Sequence, residues 1–129
     1  MKKICIIPAR SGSKRIKNKN IKSFQGNPII SVSIKNLKKM NFFDTIIVST
    51  NNKKIANISK KSGADLILRR TDNLSKDNTS TILVVRDVIH KLDLKKNSNS
   101  KIFCIYPTSI FLKKKYLKKA ISLFDNKNY

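Results

Sequence analysis

The 129-residue sequence predicts an α/β domain with a mainly parallel sheet and helices on both faces. Two observations carry this. Short, continuous apolar runs of the buried parallel-strand type alternate with longer segments whose apolar residues recur at helical spacing. Strands alternating with helices in this way form βαβ units. The chain is also the right length for one domain of roughly 100–200 residues, and no internal repeat or linker divides it.

The first run, KICIIP (3–8), is a buried strand. PIISVSIKNLKKM (28–40) opens with proline at a first helical position and carries Ile30, Ile34 and Leu37 at i, i+4, i+7. TIIVST (45–50) is a second buried strand rich in β-branched residues. NKKIANISKKSG (52–63) reads as a short helix with Ile55, Ile58 and Ser59 on one face and Gly63 as its C-terminal glycine. ADLILR (64–69) is a third strand. TSTILVVRDVIHKL (79–92) is a helix with Ile82, Val85, Ile89 and Leu92 facing inward. KIFCIYP (101–107) is the fourth strand, and KKKYLKKAISLF (113–124) is a helix presenting Leu117, Ala120, Ile121 and Phe124. That helix runs directly into DNKNY with no further strand, so the sequence reads as a half-finished α/β domain.

With 40% hydrophobic residues the chain has enough apolar material for a core, and its net charge is +22. Such a charge raises a nucleic-acid partner as one reading. Against it, the cations are overwhelmingly Lys, fall on every predicted element and accompany abundant Asn and Ile, a pattern of AT-rich coding. Aromatic residues interleaved with the charge for base stacking are not evident. No apolar run approaches the roughly 20 residues that span a bilayer. The five-residue apolar stretch before Pro8 is too short for a signal peptide, so the expected location is cytoplasmic, without a membrane partner. Cys5 and Cys104 lack metal or redox spacing and are expected to be buried as small hydrophobes. His90 has no partner that suggests a dyad, and no pair of carboxylates has the spacing of a metal clamp.

Ligands of doubly wound sheets bind beyond the carboxyl ends of the strands, and three of the four exits carry polar chemistry. The first, ARSGSKRIKNKNIK (9–22), is neither GxGxxG nor a P-loop. Its small residues Ser11, Gly12 and Ser13 can point backbone N–H groups at an anion, with Arg10 making bidentate contacts and Lys14 adding a point charge. The competing reading is a solvated basic loop. The second exit, ILRRTDNLSKDNTST (67–81), has two arginines and then Ser75, Thr79, Ser80 and Thr81 leading into a helix N-terminus, where capping accounts for one hydroxyl but not four. The third, IYPTS (105–109), ends in a phenol, a proline and two hydroxyls; Tyr106 suits either the core or the pocket. This chemistry binds and positions, and it offers no nucleophile or general base.

Four co-linear motifs span essentially the whole chain: IIPARSGSKRIKNKNIK, FDTIIVSTNNKKIANISKKSGADLILR, LSKDNTST and IYPTS. Together they resemble the cytidylyltransferases that activate acidic nine-carbon sugars, the CMP-sialic-acid-synthetase family. The resemblance implies a Rossmann-like three-layer α/β/α nucleotidyltransferase domain whose residues 1–129 form the CTP-binding part. It implies that Arg10 and Lys14 are catalytic residues holding the triphosphate, and that Asn20 contacts cytosine or ribose. Ser11, Gly12, Ser13, Arg70, Ser80, Thr81 and Tyr106 complete the implied nucleotide-binding set. Ser11 stands in place of a family glycine, which strains the chain only where φ must be positive; Thr71 stands in place of a proline. Arg15 and Tyr106 resemble the pseudaminic acid branch more than the sialic or legionaminic acid branches. The implied reaction transfers CMP from CTP to a nonulosonic acid for cell-surface glycan biosynthesis, with Mg²⁺ as cofactor and a homodimer as the assembly. In the family, the metal's carboxylates, the sugar site and the dimerisation segment lie beyond the residues matched here. A remnant without turnover and a basic nucleic-acid binder are the alternatives of another class.

Overall fold

A computed structural model describes residues 1–12, 15–76, 78–94 and 98–127. Its centre is a four-stranded sheet of β1 (Lys2–Pro8), β4 (Thr45–Thr50), β5 (Leu66–Arg69) and β6 (Ser100–Cys104), in the order β5-β4-β1-β6. Every pairing is parallel, with Ile6 opposite Ile47 on one side and Cys104 on the other. Strand order reverses at β1, because the chain first grows outward through β4 and β5 and then returns to β1's other edge.

Alternation along β1 divides the core in two. Cys5, Ile7 and Ala9 pack with Ile30, Ile34 and Leu37 of α1 (Ile29–Met40), Ile55 of α2 (Lys53–Lys61) and Leu117 of α4 (Lys114–Asn126). Ile4, Ile6 and Ile47 face the opposite side and meet Val88 of α3 (Thr81–Lys91). Three helices therefore cover one face and one covers the other, giving the expected three layers. α2 is capped by Asn52, whose Oδ1 accepts the Ile55 N–H at 2.9 Å, and Gly63 follows with φ 108°. No helix among the described residues is long and apolar enough to cross a membrane.

Several expectations change. Pro28 stands at the N-cap of α1, one position before the helix, as the last residue of β3 (Asn27–Pro28). β3 pairs with β2 (Ser23–Phe24) in a hairpin that escapes sequence reading because each strand has two residues. Gln25 and Gly26, both at positive φ, form its turn. In α3 the buried stripe is Val84 and Val88, with Val85 and Leu92 beside it, whereas Ile82 is 64% exposed. The run ILVV offers four consecutive apolar side chains, so spacing alone does not choose the buried face. In α4, Leu117 is buried and Ile121 partly so, but Ala120 and Phe124 are exposed. Cys104 is exposed as well, at the end of the edge strand β6. Cys5 is buried as expected, and burial pushes its thiol up.

Candidate functional site

Pairing continues past the strand ends and gathers the exits of the sheet. The Ala9 N–H donates to the Ser49 carbonyl at 2.9 Å, that of Arg70 to Thr50 at 2.8 Å, and that of Ile105 to Ile6 at 3.0 Å. The segments leaving β1, β5 and β6 thus emerge side by side at the point where strand order reverses, the position at which open parallel sheets bind ligands. A cavity of about 370 Å³ opens there, lined by Pro8, Arg10, Lys19, Asn20, Arg70, Thr79, Thr81, Val84, Tyr106, Pro107 and Thr108.

Arg70 is the buried cation of this wall, 4% exposed. Its Nη2 donates to the Ser49 carbonyl at 3.1 Å and its Nη1 to that of Leu74 at 3.4 Å, while its buried Nε has no hydrogen-bond partner. Burial lowers Arg70 below the ordinary arginine value, the neighbouring Arg10 lowers it further, and Asp87 opposes both. A buried guanidinium whose charge is disfavoured by burial and by a neighbouring guanidinium, beside an open cavity, forms an electrostatic arrangement that an anion relieves.

Arg10 folds back on its own loop, donating from Nη1 to the Gly12 carbonyl at 3.0 Å. Gly12 has φ 79°, the conformation glycine adopts freely, whereas Ser11 is not at positive φ and carries no such strain. Ser11 does not line the cavity; its N–H and hydroxyl both turn to Asn51 Oδ1, at 2.9 and 3.3 Å. Asn20, in the 3-10 turn Lys19–Ile21, is buried and donates from Nδ2 to the Arg10 carbonyl at 2.8 Å. Ser13 and Lys14 lie outside the described residues.

Hydroxyls line the opposite wall. Thr81 Oγ1 lies 2.7 Å from the Tyr106 hydroxyl, joining the first residue of α3 to the exit of β6. Tyr106 therefore faces the pocket and is half exposed. Ser80 is the N-cap residue of α3 but makes no side-chain cap bond, and it does not line the cavity. Ser75 bonds the Thr71 carbonyl and Thr79 that of Asn73, so these hydroxyls tie the preceding loop and do not cap the helix.

The structure thus brings Arg10, Asn20, Arg70, Thr81 and Tyr106 to one cavity and adds Lys19, which sequence reasoning left among the general charge of its loop. Asn51 was also missed, although an asparagine directly after a buried strand is a local signal. Mg²⁺ takes hard oxygen ligands, usually including carboxylates. None of the described residues lining the cavity supplies a carboxylate, and no group of three or more His, Cys, Asp or Glu gathers among the described residues. This wall does not fit a divalent cation.

The parallel sheet with a cavity at its reversal point is a Rossmann-like α/β fold, and solved structures share that fold. CMP:2-keto-3-deoxy-manno-octonic acid synthetase complexed with CTP superposes with a TM-score of 0.77 at 16% identity, over 98% of this chain and 48% of that one. A cytidylyltransferase from Leptospira borgpetersenii gives 0.73 at 22% identity, over 99% and 50%. The chain belongs to the cytidylyltransferase family, whose sequence model matches residues 4–129. Pseudaminic acid cytidylyltransferase of Campylobacter jejuni is 40% identical over 124 residues, 96% of this chain and 53% of that protein. CMP-N,N'-diacetyllegionaminic acid synthase of Legionella pneumophila is 30% identical over 95% of this chain and 53% of its own length. The chain spans about half the length of these two relatives.

Proposed function

We propose that residues 1–129 form the CTP-binding part of a cytidylyltransferase that transfers CMP to an acidic nine-carbon sugar, with pseudaminic acid as the substrate. The observation that carries this reading is the cavity wall of Arg10, Lys19 and Arg70, in which a partly unsatisfied buried guanidinium meets a second one, in a chain 40% identical to a pseudaminic acid cytidylyltransferase. The 30% relative that makes the legionaminic acid conjugate supports the neighbouring substrate as second reading.

In the reaction a sugar hydroxyl oxygen attacks the α-phosphorus of CTP, the bond from that phosphorus to the bridging oxygen breaks, and pyrophosphate leaves with the electron pair. The hydroxyl proton passes to solvent or to a base outside this wall. Phosphoryl transfer depends on positioning and neutralisation of charge, which arginine and lysine supply without covalent chemistry. Arg10 and Lys14 are assigned to the phosphates, Asn20 to the cytidine side, and Thr81 with Tyr106 to the hydroxyl wall. No step is assigned to Mg²⁺, because the described wall does not fit it. The assembly proposed for the whole enzyme is a homodimer, acting in the cytoplasm in cell-surface glycan biosynthesis.

The test is a pyrophosphate-release assay with CTP, Mg²⁺ and either pseudaminic or N-acetylneuraminic acid. It is run on this chain and on a fusion carrying the part of the Campylobacter jejuni relative that the chain does not match. Release by the fusion supports the CTP-binding reading of this chain, the fused part supplying the sugar site. The sugar assignment is read on the chain without the fused part: release with N-acetylneuraminic acid and none with pseudaminic acid overturns it. No release by the fusion, together with no CTP binding by the chain, overturns the enzyme reading.

A further inference from the structure

We infer that Asn51 is a positioning residue of the anion site: it sets where the Arg10 guanidinium sits, acting through Ser11. The inference rests on the anion-binding reading of the cavity. Asn51 is the first residue after β4 and does not line the cavity. Its Oδ1 nevertheless receives both donors of Ser11, the N–H at 2.9 Å and the hydroxyl at 3.3 Å.

The anchor is rigid on both sides. Thr50 before it is buried in the sheet, and Asn52 after it caps α2 while donating its own N–H to Thr50 Oγ1 at 3.2 Å. The loop it holds is short, with Ala9 bonded to Ser49 before it. Arg10 Nη1 rests on the Gly12 carbonyl, so the guanidinium's position follows the backbone of residues 11 and 12. Asn20 holds the Arg10 carbonyl from the other side and lines the cavity itself. Among the described residues, Asn51 is the side chain that fixes the Ser11 end of this loop. A loop freed at that end keeps Arg10's charge but loses its placement, and placement is what a bidentate contact needs.

The probes are inorganic tripolyphosphate and CTP, titrated calorimetrically into the chain and its variants. Asn51→Ala is expected to weaken tripolyphosphate about tenfold, the loss of one well-made hydrogen bond's worth of order, with little change in melting temperature. Asn51→Asp keeps an acceptor for the Ser11 N–H and should keep that amide protected from exchange, while its added negative charge opposes the anion directly. In an Arg10→Ala background Asn51→Ala should cost almost nothing further, because the two act as one unit. An unchanged affinity in Asn51→Ala, or an equal loss with and without Arg10, overturns the inference. Should Asn51→Ala fold poorly, the wild-type Ser11 amide reports instead. Slow hydrogen exchange that slows further with tripolyphosphate supports the inference, and fast exchange in both states overturns it. Binding of tripolyphosphate without CTP overturns the cytidine reading and leaves the positioning role intact; binding of neither overturns both.

Discussion

The hydroxyls of Thr81 and Tyr106, 2.7 Å apart, bridge the start of α3 and the exit of β6 across the mouth of the cavity. They join the lone helix on one face of the sheet to the edge strand. Tyr106→Phe removes this bridge while keeping the ring. Because Tyr106 is half exposed, the stability loss should stay near 0.5 kcal/mol, the low end for a hydrogen bond. CTP affinity should fall by roughly three- to tenfold, within the same range of energies. Thermal unfolding and calorimetric titration together check both halves.

Arg10→Ala and Lys115→Ala each remove one positive charge, yet only Arg10 lines the cavity. Losing charge-assisted hydrogen bonds of about 1.5–3 kcal/mol should weaken CTP by one to two orders of magnitude in Arg10→Ala. The change in Lys115→Ala should be about twofold or less, as for a screened surface charge. Binding by wild-type protein should keep a cytosine-over-uracil preference as salt rises. Equal losses in the two variants, with binding that vanishes in salt, would indicate diffuse attraction to a +22 chain and favour the nucleic-acid reading.

Arg70→Lys should fail as a conservative replacement. The guanidinium reaches two carbonyls in different segments, Ser49 and Leu74, which a single ammonium does not match. A loss of about 1–3 kcal/mol is expected from acceptors left unsatisfied in a buried site. It should be measurable by denaturant unfolding in the absence of any nucleotide. Unchanged stability would mean that Arg70 serves the ligand alone.

The described cavity lining offers cations and hydroxyls but no carboxylate. Mg²⁺ bound to a triphosphate therefore removes negative charge without gaining a ligand from this wall. Excess Mg²⁺ is expected to weaken CTP binding to the chain about fivefold, near 1 kcal/mol, and EDTA should restore it. Tighter binding with Mg²⁺ would point to a metal ligand among the residues not described.

Much of this was legible because the physics was local. Continuous β-branched and apolar runs had no alternative to a buried parallel strand, so four strands and their exits were placed within a few residues. Arg70 and Tyr106 were identifiable because polar residues ended such runs, and Thr81 because hydroxyls gather at a helix start. The face of α3 was not legible, since consecutive apolar residues make several rotations equivalent until Ile4, Ile6 and Ile47 select Val88. Lys19 was hidden in a uniformly basic loop. Asn51 was hidden because its role depends on a partner 40 residues away, a distance no periodicity reports.

Among the described residues β6 pairs on one side only, and α4 leaves Leu123 and Phe124 about half exposed, with Phe124 lining one groove together with the outward Cys104. An edge strand of this kind is a template for another chain, and natural proteins often guard such edges with charge. A net charge of +22 supplies a global guard of that kind, since like-charged molecules repel. Colloidal behaviour should therefore run opposite to ordinary salting-in. The protein should stay dispersed at low ionic strength and cluster as added electrolyte shortens the range of that repulsion.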